Sequence, residues 1–234
     1  MLENIYIVRH GHRADWEMNA VEGVSWISPT RLSYDPPLSS FGLQQASELG
    51  AFMSDKCLDL IYCSPFSRCI QTASAVAQAS KRELDVKLEY GIREWFGAEE
   101  KYNSYTIPTV ESLHALFPLV DPTHKPLETT THLCETISQC HDRFEAYLRD
   151  LVALLDASPT RNILLCTHAA GVIAAGRALI GNRNAYINSG LASVCKFVRR
   201  EDGGWAMQWN GKTDFLSGGE CRPWMFSTDY DSKT

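Results

Sequence analysis

Three short apolar runs, Ile5-Tyr6-Ile7-Val8, Leu60-Ile61-Tyr62-Cys63 and Ile163-Leu164-Leu165-Cys166, each lead through a polar corner toward a segment of helical period. A short apolar run bounded by turn residues is the pattern of a strand buried on both faces. Strands alternating with helices then imply a parallel sheet with helices on each side. After Pro37-Leu38-Ser39, the residues Leu43, Ala46, Leu49, Gly50 and Met53 recur at helical spacing, with Ser39 or Ser40 placed to cap the first amides. After the second run, Ser64-Pro65 reads as a cap and first-turn proline before Ile70, Ala73 and Ala77. After the third, Thr167-His168 opens onto the apolar run Ala169 to Ile180. The clearest helical stripe is Leu133, Ile137, Cys140, Phe144, Tyr147, Leu151 and Leu154, whose face should pack on the sheet. Near the end, Val194 to Val198 and Trp205 to Trp209 flank a Gly-Gly turn, which predicts an antiparallel hairpin with Trp205, Met207 and Trp209 on one face.

These elements read as one domain over residues 1–226 followed by a polar tail, 227–234. Two stretches without a dominant period, 14–37 and 97–127, hold seven of the ten prolines, and insertions of that kind build loops around a site. With 22 basic and 28 acidic residues the net charge is −6, so direct nucleic-acid binding is disfavoured. Met1-Leu2-Glu3-Asn4 lacks the charged front and long apolar middle of a secretory leader, and no run of about 18 apolar residues exists to span a membrane. The eight cysteines then fit a reducing compartment, cytoplasmic or nuclear, with Cys63 and Cys166 as small core residues.

Each predicted strand delivers cationic or imidazole side chains just past its carboxyl end, and in a parallel sheet these ends share one edge. The first supplies Arg9, His10 and Arg13, the second Arg68, and the third His168. On an acidic molecule such a cluster acts only at short range, within a Debye length of about 8 Å at physiological salt, and so clamps a small anion. Two helix amino termini aimed at the same edge add amide donors and favour a doubly charged oxyanion.

The residues Arg9-His10-Gly11, Leu38 to Gly42 with Gln45-Ala46, Ser64-Pro65 with Arg68 and Gln71-Thr72, and Thr167-His168-Ala169 resemble, in order and spacing, the histidine phosphatase (phosphoglycerate mutase-like) superfamily. The tail from Trp205 to Glu220 is similar to the phosphatase-like domain of fungal tau subunits of transcription factor IIIC, and Arg13 fits that branch and the Sts-type protein phosphatases. The resemblance implies a three-layer α/β/α sandwich and a phosphatase that works without a metal or other cofactor on phosphate monoesters of a protein or small molecule. It implies His10 as the nucleophile that becomes phosphohistidine. Arg9, Arg68 and His168 would be ligands of the equatorial oxygens, Arg13 a further phosphate or rim contact, and Glu94 the acid that protonates the leaving group and then activates water. The chemistry agrees, since phosphoryl transfer asks a protein chiefly for in-line positioning and neutralised charge, and guanidiniums nearby keep an imidazole unprotonated. His12 departs from the acidic or amide residue common after the glycine.

Two further readings belong to the same resemblance. A mutase would return the phosphate to a second hydroxyl if water is excluded. A domain kept for contacts with transcription factor IIIC subunits would have weak turnover. Other chemistries find less support. Gly211-Lys212-Thr213 looks like the end of a P-loop, but Ala206 stands where its first glycine belongs. His132, Cys134, Cys140 and His141 lack zinc-ligand spacing, and no Gly-x-Ser-x-Gly elbow exists.

Overall fold

In the computed structural model, which describes residues 1–18, 26–130 and 132–227, strand β1 (Asn4–Arg9) pairs on one side with a parallel strand and on the other with an antiparallel one. The chain order is β1, α1 (Ala14–Met18), α2 (Ser40–Met53), β2 (Leu60–Cys63), α3 (Ser67–Ala79), β3 (Val86–Leu88), α4 (Val110–Leu116), α5 (Ile137–Asp156), β4 (Asn162–Thr167), α6 (Ala169–Ile180), β5 (Val194–Arg199) and β6 (Trp205–Lys212). The six strands lie in the order β3-β2-β4-β1-β5-β6, parallel from β3 to β1 and antiparallel from β1 to β6. Alternate side chains of each strand enter opposite cores. Ile5, Ile7, Ile163 and Leu165 meet Phe144, Leu151 and Val172 of α5 and α6 on one face. Tyr6, Val8, Leu164 and Cys166 meet Leu49, Met53, Ile70 and Val76 of α2 and α3 on the other. This is the three-layer α/β fold expected, with the C-terminal hairpin extending its antiparallel edge.

Several local expectations are corrected. Ser64-Pro65 does not cap α3. That helix begins at Ser67 with Phe66 in the cap position, and the Ser67 amide donates instead to the Asp35 carboxylate at 2.8 Å. In α2, Leu43 faces outward and Gln45 is buried, whereas Ser39 does cap, accepting from the Gly42 amide at 3.1 Å. In α5 the inward position is Leu155, Leu154 faces outward, and Leu133 precedes the helix; its start is a capping box of Thr136 and Gln139. Trp209 does not share a face with Trp205 and Met207. Phe197 pairs with Met207 but Lys196 with Trp209, so Gln208 is an extra residue, and the bulge turns Trp209 onto Tyr6 and Phe52. Of the insertions, 97–127 contains α4, capped by Thr109, and its later part runs along β3 through a Val86–Val120 bridge. Residues 19–25 of the first insertion and residues 228–234 of the tail lie outside the described residues.

The crossover from β1 to β2 passes over β4, so β1 and β2 flank β4 and the connections diverge at the sheet's carboxyl edge, the place where open α/β sheets bind ligands. The corner after β1 is pressed against α2. A Cβ on Gly42 would lie 2.1 Å from the His12 carbonyl oxygen, and one on Gly11 2.7 Å from the Gly42 carbonyl. The first turn of α2 therefore fixes the height of the loop carrying His10. Gly42→Ala should lower stability by about 2–3 kcal/mol through forced separation of these backbones. Urea unfolding with an unchanged midpoint would show that the loop is not seated on this helix.

Candidate active site

The register of the central strands places the candidate residues. Arg9 pairs with Thr167 and Cys63 with Cys166, so His10, Ser64 and His168 emerge side by side past three strand ends. The His10 and His168 rings are 5.3 Å apart, nearly edge to face. Arg9, His10, Arg68 and His168 are all at most 5% exposed, a concentration of charge and imidazole that burial alone would forbid.

His10 has one defined tautomer. Its Nδ1 lies 2.7 Å from the Gly11 carbonyl oxygen, an atom that can only accept, so Nδ1 carries the hydrogen and Nε2 the lone pair. Burial first, and then the charges of Arg68, His168 and Arg9, hold the His10 pKa well below its ordinary value. The motif residues after β1 have backbone duties: Thr72 Oγ1 accepts from Gly11 N at 3.2 Å, Gln45 Oε1 from His12 N at 2.9 Å, and Gln71 Oε1 from Leu38 N at 2.7 Å.

Glu94 joins the cluster through one oxygen. Its Oε2 accepts from Arg68 Nη2 at 3.0 Å and lies 3.1 Å from His168 Nδ1. Burial would raise the Glu94 pKa, but His168, Arg68 and Arg13 outweigh it and hold the carboxyl far below the usual range. For His168, burial lowers the pKa, and the Glu94 carboxylate beside its Nδ1, with the Cys69 sulfur as a hydrogen-bond acceptor, more than reverses it. Its other nitrogen, Nε2, meets Ser64 Oγ at 2.7 Å, so Ser64 orients this imidazole where the sequence suggested a helix cap. The Cys69 thiol, 3.5 Å from the same nitrogen, is itself held neutral by burial.

The arginines keep donors in reserve. Arg9 Nη1 donates to the carbonyls of Ser189 and Arg222, both at 2.7 Å, while its Nε has no partner among the described residues; burial lowers its pKa to about 10, so it stays charged at neutral pH. Arg68 Nη1 stands 3.6 Å from Asp35, and its Nε and Nη1 have no hydrogen-bond acceptor among the described residues. Buried N–H groups of this kind, on two arginines whose charges bear on His10, suit an anion such as a phosphoryl group. His10, Glu94 and His168 also offer ligand atoms within 4.8 Å of one another. A cation there would meet the Arg68 guanidinium already bonded to the same carboxylate oxygen, so the donor set favours an anion.

A cavity of about 460 Å³ opens over His10. Trp95, Phe96, Tyr102 and Tyr105 line it, joined by Trp16 and Tyr34. Only the first part of the 97–127 insertion takes part. Arg13 stands at the rim, its guanidinium bonded to Asp15, with Trp16 beneath it at 4.8 Å. The wider groove between α2 and α3, about 590 Å³, has no ionisable side chain in its walls. His12 donates no charge to the cavity: burial lowers its pKa, and its Nδ1 lies 3.0 Å from Ser39 Oγ. Of the residues weighed for zinc, His141 lies between the Ile137 carbonyl and Arg177 and Cys140 in the core, while His132 is exposed and Cys134 half-buried.

Sequence reasoning missed Asp35, Ser64's true partner and the C-terminal strap. Asp35 is fully buried and takes bonds from Ser67 N, Ser67 Oγ and Thr30 Oγ1 beside Arg68. A lone Asp before Pro36-Pro37 gave no periodic signal; only the cost of burying a carboxylate beside an arginine marks it. The strap, Cys221 to Trp224, closes over Arg9, and the Arg222 guanidinium lies 4.1 Å above the Trp16 ring.

Comparison with known proteins agrees with this geometry. The chain is 30% identical to the transcription factor tau 55 kDa subunit of Saccharomyces cerevisiae, over 97% of this chain and 59% of that protein. It is 27% identical to the ecdysteroid-phosphate phosphatase of Drosophila melanogaster over 76% of this chain, and spans 27% of that relative's length. Its fold superposes on the ecdysone phosphate phosphatase of Bombix mori, crystallised with tungstate, with a TM-score of 0.69 at 19% identity, covering 96% of this chain and 95% of the other. The sequence profile of the histidine phosphatase superfamily (branch 1) matches residues 5–212, nearly the whole described chain, and to that superfamily this protein belongs.

Proposed function

We propose that the chain is a metal-independent phosphatase that hydrolyses phosphate monoesters through a phosphohistidine at His10. The observation that carries this reading is the fixed tautomer of His10, a neutral imidazole with its lone pair on Nε2 beside the charges of Arg68, His168 and Arg9. Nε2 attacks phosphorus in line with the ester oxygen. The N–P bond forms as the P–O bond breaks, and the charge left on the imidazole ring is stabilised by the Gly11 carbonyl at Nδ1. Arg9, Arg68 and His168 neutralise the equatorial oxygens.

Glu94 has to be protonated to serve the leaving group, yet in the resting site it is held ionised by His168 and Arg68. A phosphate dianion resolves this conflict. It competes for both cations and adds negative charge beside the carboxyl, which raises the Glu94 pKa when substrate is bound. The proton then goes to the departing alkoxide. The carboxylate so formed takes a proton from water as the water oxygen attacks phosphorus, the N–P bond breaks, and His10 regains its lone pair.

The tau 55 kDa likeness supports a second reading, a contact domain within a transcription-factor assembly, since it extends over 97% of this chain. The complete set of phosphoryl-transfer groups favours turnover. Hydrolysis of an aryl phosphate with chelator present separates the two, because a contact domain without chemistry gives no product at any pH.

Three outcomes follow from the site. His10→Ala should abolish turnover and the acid-labile, base-stable phosphoprotein trapped by rapid quenching; a trapped phosphoprotein in that variant would place the nucleophile elsewhere. Glu94→Gln should slow alkyl phosphates by about 10²–10⁴-fold, and nitrophenyl phosphate far less, because only poor leaving groups need the proton. An equal loss on both substrates would assign Glu94 to binding. Stability carries a pH signature as well. His10 is held neutral in the fold, while the unfolded chain takes up a proton below the ordinary value of 6.5, so native stability falls as pH drops through 6.5. His168 has the opposite sign, stabilising below 6.5 and losing that contribution as pH rises through its elevated value. In His10→Asn the acid-side slope should be shallower by up to one proton, about 1.4 kcal/mol per pH unit. Parallel stability curves from pH 5 to 7 would mean that His10 protonates freely in the fold.

A further inference from the structure

The segment that carries Glu94, residues 90–97, belongs to no strand, yet it must hold a carboxylate within hydrogen-bond reach of two buried cations. Its support comes from one residue on the opposite side. Glu135, 6% exposed, accepts from Arg93 Nη2 at 2.6 Å and Arg143 Nε at 2.8 Å on one oxygen, and from Arg143 Nη2 at 2.7 Å on the other. Its main chain holds the same segment at two more points: Glu135 N donates to the Gly97 carbonyl at 3.0 Å, and Trp95 Nε1 donates to the Glu135 carbonyl at 2.8 Å. Through Arg143 the carboxylate also reaches the Gly91 carbonyl, 2.7 Å from Nη1, and through Arg93 the Tyr90 and His132 carbonyls. Residues 90, 91, 93, 95 and 97 are thus all tied to Glu135, directly or through one arginine, and Glu94 sits among them with its own side chain turned to Arg68 and His168. No group of this network lines the phosphate cavity except Trp95.

We infer that Glu135, clamped between Arg93 and Arg143, is the positioning residue that sets Glu94 against His168 and Arg68. An arginine–carboxylate–arginine bridge is costly to bury and adds little to net stability compared with apolar packing, but its forked geometry fixes register closely. Here that register is the placement of the proton donor, where a displacement of about 1 Å costs on the order of 10²-fold in rate. Glu135 never touches the phosphate; it acts through Glu94 alone. The inference rests on the phosphatase reading for its kinetic test, and on the fold alone for its spectroscopic one.

The test uses the whole chain and the variants Glu135→Gln, Arg143→Lys, Glu94→Gln and the double variant Glu135→Gln with Glu94→Gln. Expected for Glu135→Gln is a fall in kcat of about 10²-fold on an alkyl phosphate and under about 3-fold on nitrophenyl phosphate, with KM nearly constant. In the Glu94→Gln background the same change should cost nothing further. Arg143→Lys, which keeps the charge and loses the fork, should show the same leaving-group dependence at smaller amplitude and stands in if Glu135→Gln fails to fold. Equal losses on both phosphates, or a full loss in the double variant, would overturn the inference while leaving the phosphatase reading intact. If the native chain turns over nothing, that reading fails, and the ring-nitrogen NMR titration of His168 decides alone. Loosening Glu94 should bring the His168 pKa down in Glu135→Gln, and an unchanged titration would sink the positioning role.

Discussion

One carboxylate oxygen, Glu94 Oε2, makes it possible to keep Arg68 and His168 buried next to His10. Without it, the Asp35 carboxylate alone would stand against two buried guanidiniums, groups that lose several kcal/mol of hydration each, and His168 would lose the neighbouring charge that raises its pKa. With it, the cluster is compensated, and Arg9 and Arg68 still keep buried N–H groups without acceptors among the described residues. The site is thus arranged to exchange one anion for another. In the proposed mechanism phosphate takes over part of the role Glu94 plays at rest, and Glu94, relieved of it, holds a proton. On that proposal, binding and acid activation are the same electrostatic event.

The sheet makes the exchange possible by geometry rather than affinity. Residues as distant in sequence as Arg9, Ser64 and His168 meet because β1, β4 and β2 are neighbours with matched register, so the carboxyl ends of three strands come within one side-chain length. Rigid strands supply the groups that need fixed distances. The loops supply the aromatic wall, where Tyr34 stacks flat on Tyr105 at 3.8 Å between ring centres and Phe96 meets both edge-on. A generic phosphate cradle and an individual wall can therefore change independently.

Much of this was legible in the sequence because its signals are local. Apolar runs of four residues, helical spacing in α6 and the Ser39 cap each declare themselves within one or two turns of chain. The cationic residues past the strand ends followed from the same reading, and the family motif named their partners. What stayed hidden depends on contacts made across the fold. Ser64-Pro65 carries a cap signal, but the hydroxyl is taken by His168 and the helix amide by Asp35, 32 residues upstream. The face of Trp209 was misjudged because one bulged residue, Gln208, reverses the alternation, and a bulge is set by the partner strand. The Glu135 bridge left no trace, since a Glu before a capping threonine and two scattered arginines look like solvated charges until packing removes the water.

The bond from Arg9 to the Arg222 carbonyl joins residues 213 positions apart, and β1 also needs β5 to pair its second edge. At synthesis rates of about 5–20 residues per second, Arg9 waits roughly 10–40 s on the ribosome before its last acceptor is made. During that interval the corner that carries His10 has neither its final hydrogen bond nor the strap that roofs it. A chain cut short of residue 222 would leave Arg9 Nη1 with the Ser189 carbonyl as its remaining acceptor.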